Sequence, residues 1–84
     1  MALMGKQDLP GELNPGILVD FAKSRGFTLD KSEGSHMLYR KPGWGHVSIP
    51  NKPIPTRRNS WTFKNILTAC GATRKEFTEW LRAH

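Results

Sequence analysis

Two hydrophobic periods alternate along this chain, and their order sets out a fold. From Asn14 to Gly26 the apolar positions Leu18, Phe21 and Ala22 recur at helical spacing, which gives a helix one buried face. Asn14 before Pro15 is a start signal, with Asn as N-cap and Pro at the first helical position. Gly26 supplies a left-handed stop after about Arg25. The period then drops to two. Phe27-Thr28-Leu29-Asp30-Lys31 alternates as a strand does, and Ser32-Glu33-Gly34 reads as a turn. A second strand follows from about Ser35 to Lys41. Its alternation puts His36, Leu38 and Arg40 on one face and Ser35, Met37 and Tyr39 on the other, without settling which face is inward. Pro42-Gly43-Trp44-Gly45 is a hairpin turn, and His46 to Pro50 is a third strand with Val47 and Ile49 inward.

Asn51 to Asn59 reads as a loop, stiffened by proline and carrying Lys52, Arg57 and Arg58. Ser60 caps a helix from Trp61 to Cys70, with Phe63, Ile66 and Leu67 on one face and Gly71 as its terminator. Thr73-Arg74-Lys75-Glu76 is a capping box for a last helix whose Phe77, Trp80 and Leu81 face the core. Residues 1 to 13, broken by Leu9-Pro10-Gly11, read as an irregular N-terminal arm before one domain spanning 14 to 84. The order is αβββα with a short C-terminal helix. A three-stranded antiparallel meander covered by helices on one face is an α+β sandwich.

Composition narrows the setting. Eighty-four residues make one small domain with a modest core. Cys70 is the single cysteine, so no internal disulfide forms. No residues stand at metal-ligand spacing, so neither a zinc staple nor a cofactor is expected. These features fit a reducing cytoplasm. No apolar run has the length of a signal peptide or a membrane span, so no membrane partner is expected.

The net charge of +6 matters mainly through its distribution. Gly34 to Lys75 contains no Asp or Glu, yet holds Arg40, Lys41, Lys52, Arg57, Arg58, Lys64, Arg74 and Lys75. Such a surface suits a polyanion, with RNA or DNA first and an acidic protein as the other reading. Within it lies Gly34-Ser35-His36-Met37-Leu38-Tyr39-Arg40-Lys41-Pro42. A turn-forming Gly-Ser pair precedes a titratable imidazole, and two fixed cations follow within one strand's length. Chemistry on a phosphodiester needs those parts: a base titrating near neutrality and cations for the anion. Gly-Ser-His-Met is also a scar of tag removal, but 33 residues precede it here, so the string is native. The bland reading of His36 is a strand-end histidine bonded to a turn. That of Arg40 and Lys41 is a soluble hairpin. Lys52, Arg57, Arg58 and Lys64 read as nucleic-acid backbone contacts, as a solvated loop, or as a contact with an acidic protein partner. Trp44 and Trp61 read either as base-stacking platforms or as packing.

Taken in order, several stretches resemble the HicA-like (YcfA-like) toxins. They are Arg25-Gly26-Phe27, Gly34 to Arg40, Val47-Ser48-Ile49-Pro50, Thr62 to Leu67 with Gly71, and Glu76-Phe77. The resemblance covers roughly residues 15 to 82. It implies a double-stranded-RNA-binding-domain-like fold, a ribosome-independent mRNA interferase of a type II toxin-antitoxin system, and a HicB-like antitoxin that masks the site. The family's catalytic histidine lands on His36, with Gly34 and Ser35 completing its element. The implied mechanism is metal-independent: His36 removes the ribose 2′-OH proton so that the oxygen attacks phosphorus, a step worth about 10² to 10⁴-fold. Arg40 and Lys41 would hold the phosphate. His46 and Tyr39 are the candidates for a general acid. The chain departs from the family where Asn51, not histidine, follows Pro50, and in the Pro- and Arg-rich loop from Lys52 to Asn59. Two other classes remain. One is a non-catalytic RNA-binding module, although only Lys64 stands at the start of the second helix where duplex binders cluster lysines. The other is a protein module for an acidic partner.

Overall fold

The computed structural model describes residues 9–57 and 60–83. All three expected helices form: α1 (Pro15–Ser24), α2 (Trp61–Ala69) and α3 (Arg74–Arg82). Each starts on the predicted cap. The Asn14 side chain accepts the Gly16 N–H at 2.9 Å, and Ser60 Oγ accepts the Phe63 N–H at 3.4 Å. Thr73 and Glu76 exchange both bonds of the capping box, at 3.1 and 2.9 Å. Gly26 at φ +95 and Gly71 at φ +72 supply the left-handed turns that end α1 and α2.

Among the described residues there are five strands: β1 (Glu12–Leu13), β2 (Thr28–Glu33), β3 (His36–Lys41), β4 (Gly45–Pro50) and β5 (Ile54–Pro55). β2, β3 and β4 form an antiparallel meander in that order, so the chain is an α+β fold. β1 and β5 make a separate ribbon, with Leu13 opposite Ile54. The end of the expected irregular arm therefore pairs with the middle of the expected 51–59 loop. Both strands are too short to leave a periodic signal. What holds them is burial of Leu13 and Ile54 in the core. Thr56 reinforces the ribbon, its N–H bonding the Gly11 carbonyl at 3.0 Å and its hydroxyl bonding that of Pro10. The rest of the arm, residues 1–8, lies outside the described residues, as do Arg58, Asn59 and His84.

The helices cover one face of the meander, chiefly over β4. Tyr39, Val47 and Ile49 meet Leu18, Phe21, Phe63, Ile66 and Leu67 there, while Met37 packs at the margin. Phe77 of α3 closes the core, edge-on to Phe21 at 4.9 Å and to Phe63 at 5.6 Å. Leu29 departs from its expected place: although opposite Tyr39 it is 54% exposed. β2 is an edge strand beyond the helical cover, exposed along its whole length and with an irregular register between Leu29 and Lys31. Among the described residues no helix is long and apolar enough to cross a membrane.

Leu13→Ala tests whether β1 belongs to the fold. Truncating a fully buried leucine costs about 2–5 kcal/mol, so the midpoint of urea unfolding should fall sharply. A change below about 0.5 kcal/mol would return residues 12 and 13 to the arm.

Candidate active site and groove

β2 and β3 are joined by the two residues Gly34 and Ser35. Gly34 stands at φ +56 and Ser35 has no positive φ, the pattern of a hairpin turn with glycine in its first central position. The expected turn at 32–34 is thus shifted by one residue, and β2 runs on to Glu33. Glu33 and His36 become the pair that closes the hairpin, directly opposite each other. Such partners have Cβ atoms about 5 Å apart on one face. On the other side of His36 stands Pro50 of β4. The next residue, Asn51, donates its N–H to the Ser35 carbonyl at 2.6 Å and pins the chain beside the histidine.

Burial decides the orientation that the sequence left open. Tyr39 is buried and Met37 half-buried on the helical side, so His36, Leu38 and Arg40 point outward. His36 is exposed, and Ser35 Oγ lies 3.4 Å from its Nδ1, a distance that orients the ring only weakly. Among the described residues none buries the imidazole.

A groove of about 310 Å³ opens beside it, between the outer edge of β4 and α2. His36 and His46 both line it, together with Ser48, Thr62 and Asn65. His46 lies opposite Arg40, four residues along β3 from His36. At about 3.3 Å per residue the two histidines stand some 13 Å apart along the strands. They mark the ends of the groove and do not flank one phosphodiester. Tyr39 is buried on the opposite face of the sheet, so neither candidate general acid meets the bond that His36 would reach.

The predicted cations do not form one cluster. Arg40 shares the outer face with His36 but faces His46 at the far end. Lys41 points to the helical side, its stem against Gly26 and its Nζ 5.6 Å from the Trp44 ring centroid. Lys52, exposed and next to Asn51, is the loop cation nearest His36 in the chain path. Arg57 and Lys64 line a different cleft. Along α2 the groove residues Thr62, Asn65 and Ala69 lie about 180° around the axis from Phe63, Lys64 and Leu67. The helix body therefore separates Arg57 and Lys64 from the histidine. Arg58 lies outside the described residues.

The tryptophans divide by role. Trp44 donates its indole N–H to the Ala69 carbonyl at 2.8 Å, and Arg25 reaches the carbonyls of Cys70 and Gly71, both at 3.0 Å. Together they satisfy the end of α2, where a cation is also favoured by the helix dipole. A Cβ on Gly71 would stand 2.7 Å from the Trp44 ring. Trp61, by contrast, is 71% exposed at the first position of α2, beside the groove residue Thr62. Cys70 is buried, and that burial pushes its thiol up to about 11, against the opposing pull of Arg25 and Lys41.

Sequence reasoning missed Glu33 and the groove residues Ser48 and Asn65. A signal for Glu33 existed, since a two-residue Gly-Ser hairpin makes residues 33 and 36 opposite. The groove had none, because it depends on how α2 docks against β4. Among the described residues no group of three His, Cys, Asp or Glu side chains gathers to hold a metal ion. No protein-family model matches the chain, and no curated protein matches it in sequence.

Gly71→Ala tests the packing of Trp44. The left-handed backbone alone costs about 1–2 kcal/mol, and the ring contact adds to it. In a Trp44→Ala background the added part should vanish, giving a coupling of about 1 kcal/mol in a double-mutant cycle of unfolding free energies. Strict additivity would show that the ring does not rest on Gly71.

Proposed function

We propose that this protein is a metal-independent endoribonuclease toxin of the HicA-like type, cutting single-stranded RNA at His36 and held in check by an antitoxin. One observation carries the reading: a solvent-exposed imidazole stands at a hairpin tip, at the end of a groove of mixed polar and apolar lining, in a stretch of chain without acids from Gly34 to Lys75. The order of α1, the three-stranded meander and α2 supports the double-stranded-RNA-binding-domain-like fold that the resemblance implies.

The chemistry follows from the placement. RNA lies along β4 with its scissile phosphate at the His36 end. His36 takes the 2′-OH proton, the 2′ oxygen attacks phosphorus, and the bond to the 5′ oxygen breaks. The products are a 2′,3′-cyclic phosphate and a 5′-hydroxyl whose proton comes from solvent. Glu33 stands directly opposite His36 across the hairpin, with its carboxylate 3.5 Å from Lys31 Nζ. Lys52 offers charge to the phosphate at this end. Arg40 serves a neighbouring phosphate at the His46 end. Trp61 supplies a stacking face at the rim, and Ser48 and Asn65 present hydrogen-bonding groups to the strand.

His36→Ala removes the base from an exposed position, so the fold and RNA affinity should survive while cleavage of single-stranded RNA in chelator-containing buffer drops by about 10² or more. Cleavage equal to that of the parent chain, from a variant that still binds RNA, would leave a binding module in place of the nuclease.

A further inference from the structure

The second cleft, on the far side of α2, does not serve the histidine. It encloses about 300 Å³ between α2, the start of α3 and the chain at Arg57, a volume at the small end for ligand sites. Three cations line it, Arg57, Lys64 and Arg74. Among the described residues none of them is paired with a carboxylate; the ion pair there is Lys31 with Glu33 on β2. The N-cap residues of two helices, Ser60 and Thr73, also open onto it, which adds the positive ends of both dipoles. Its floor is apolar, built from Phe63, Leu67 and Ala72.

We propose that this cleft docks an acidic protein segment that seats one apolar side chain. The inference goes beyond the nuclease reading and stands whether or not His36 cuts RNA. Charge complementarity selects an anion. The floor selects a peptide over a nucleic acid: a phosphate backbone gains nothing from Leu67 and Ala72, and a base has no free ring to stack on. Phe63 is buried, and the Arg74 guanidinium lies 5.7 Å from its ring centroid. A peptide with carboxylates flanking a leucine uses both features. The cations are separated along the rim, which suits charges spread along a chain. Arg74 is fixed in place by donating from Nη1 to the Thr56 carbonyl at 2.6 Å, so part of the rim is preorganised.

The test titrates the full chain with a ten-residue peptide of Glu and Asp carrying one central Leu, followed by backbone amide shifts. Three comparisons accompany it: the same peptide with Ser for Leu, a 2′-O-methyl decanucleotide that cannot be cleaved, and the His36→Ala chain. Saturating shifts at Lys64, Thr68 and Ala72 are expected, with Ser48 and Asn65 unmoved. Affinity should fall at least about tenfold in Arg57→Glu/Lys64→Glu, weaken for the Ser peptide, and stay unchanged in His36→Ala. Should the double reversal disturb the fold, Lys64→Ala at this exposed helical position takes its place, with an expected loss of a few fold. The proposal is overturned if the peptide causes no saturating shifts in the cleft, if Leu and Ser peptides bind alike, or if the oligonucleotide fills the cleft more tightly than the peptide. Because His36 is untouched by every arm but one, a failed docking site and a failed nuclease give different results.

Discussion

Tyr39 packs beneath the meander with Val47 directly opposite it, and this pair decides which side of the sheet meets water. Side chains alternate strictly along a strand, so burying Tyr39 sends His36, Leu38 and Arg40 outward together. A slip of one residue in the β3–β4 register would carry the imidazole under α1 and α2 and leave the phenol in solvent. Fully buried Ile49, opposite Met37, opposes such a slip from the neighbouring strand. The exposed histidine is therefore a consequence of core packing two strands wide. The Gly34-Ser35 turn adds the last constraint by placing it at the closing pair of a hairpin, between Glu33 of β2 and Pro50 of β4.

The basic character of the chain is divided between architecture and recognition. Arg25 closes the end of α2, Lys41 lies over Trp44, and Arg74 ties α3 to Thr56. These charges hold elements together. Arg40, Lys52, Arg57 and Lys64 remain exposed, but they do not form a single patch: Arg57 and Lys64 line the cleft beside α2, while Arg40 lines a separate cavity with Asp30 and His46. A net charge thus overstates any one binding surface. The division also gives α2 two edges that differ in charge: histidines, hydroxyls and an amide over an apolar lining toward β4, and cations over an apolar floor toward α3.

Much of the fold was legible because each boundary carried a residue with one local job. Asn14, Ser60 and Thr73 cap; Gly26 and Gly71 stop; Pro50 ends a strand. Val47, Ile49, Phe63, Ile66 and Phe77 went inward as their periods required. What escaped notice depends on distant partners. The two-residue strands at Leu13 and Ile54 exist only because they pair across the fold, and Leu29 is exposed because β2 lies beyond the helices. At the site, His36 was visible through its turn and its charged setting. The grouping of Lys41 with it failed, because period two sends adjacent residues to opposite faces. Whether each tryptophan stacks or packs was not legible for a similar reason: Trp44, although 57% exposed, donates to the end of a helix distant in sequence, while Trp61 stands 71% exposed at the start of the same helix.

The end groups of the cleaved RNA test the account most directly. Attack by the 2′ oxygen, with His36 as base, must leave a 2′,3′-cyclic phosphate on one fragment and a free 5′-hydroxyl on the other. Mass spectrometry of a short defined oligoribonucleotide reads both ends. Fragments bearing a 5′-phosphate and a 3′-hydroxyl would mean that water, not the ribose, attacks phosphorus, and would contradict it.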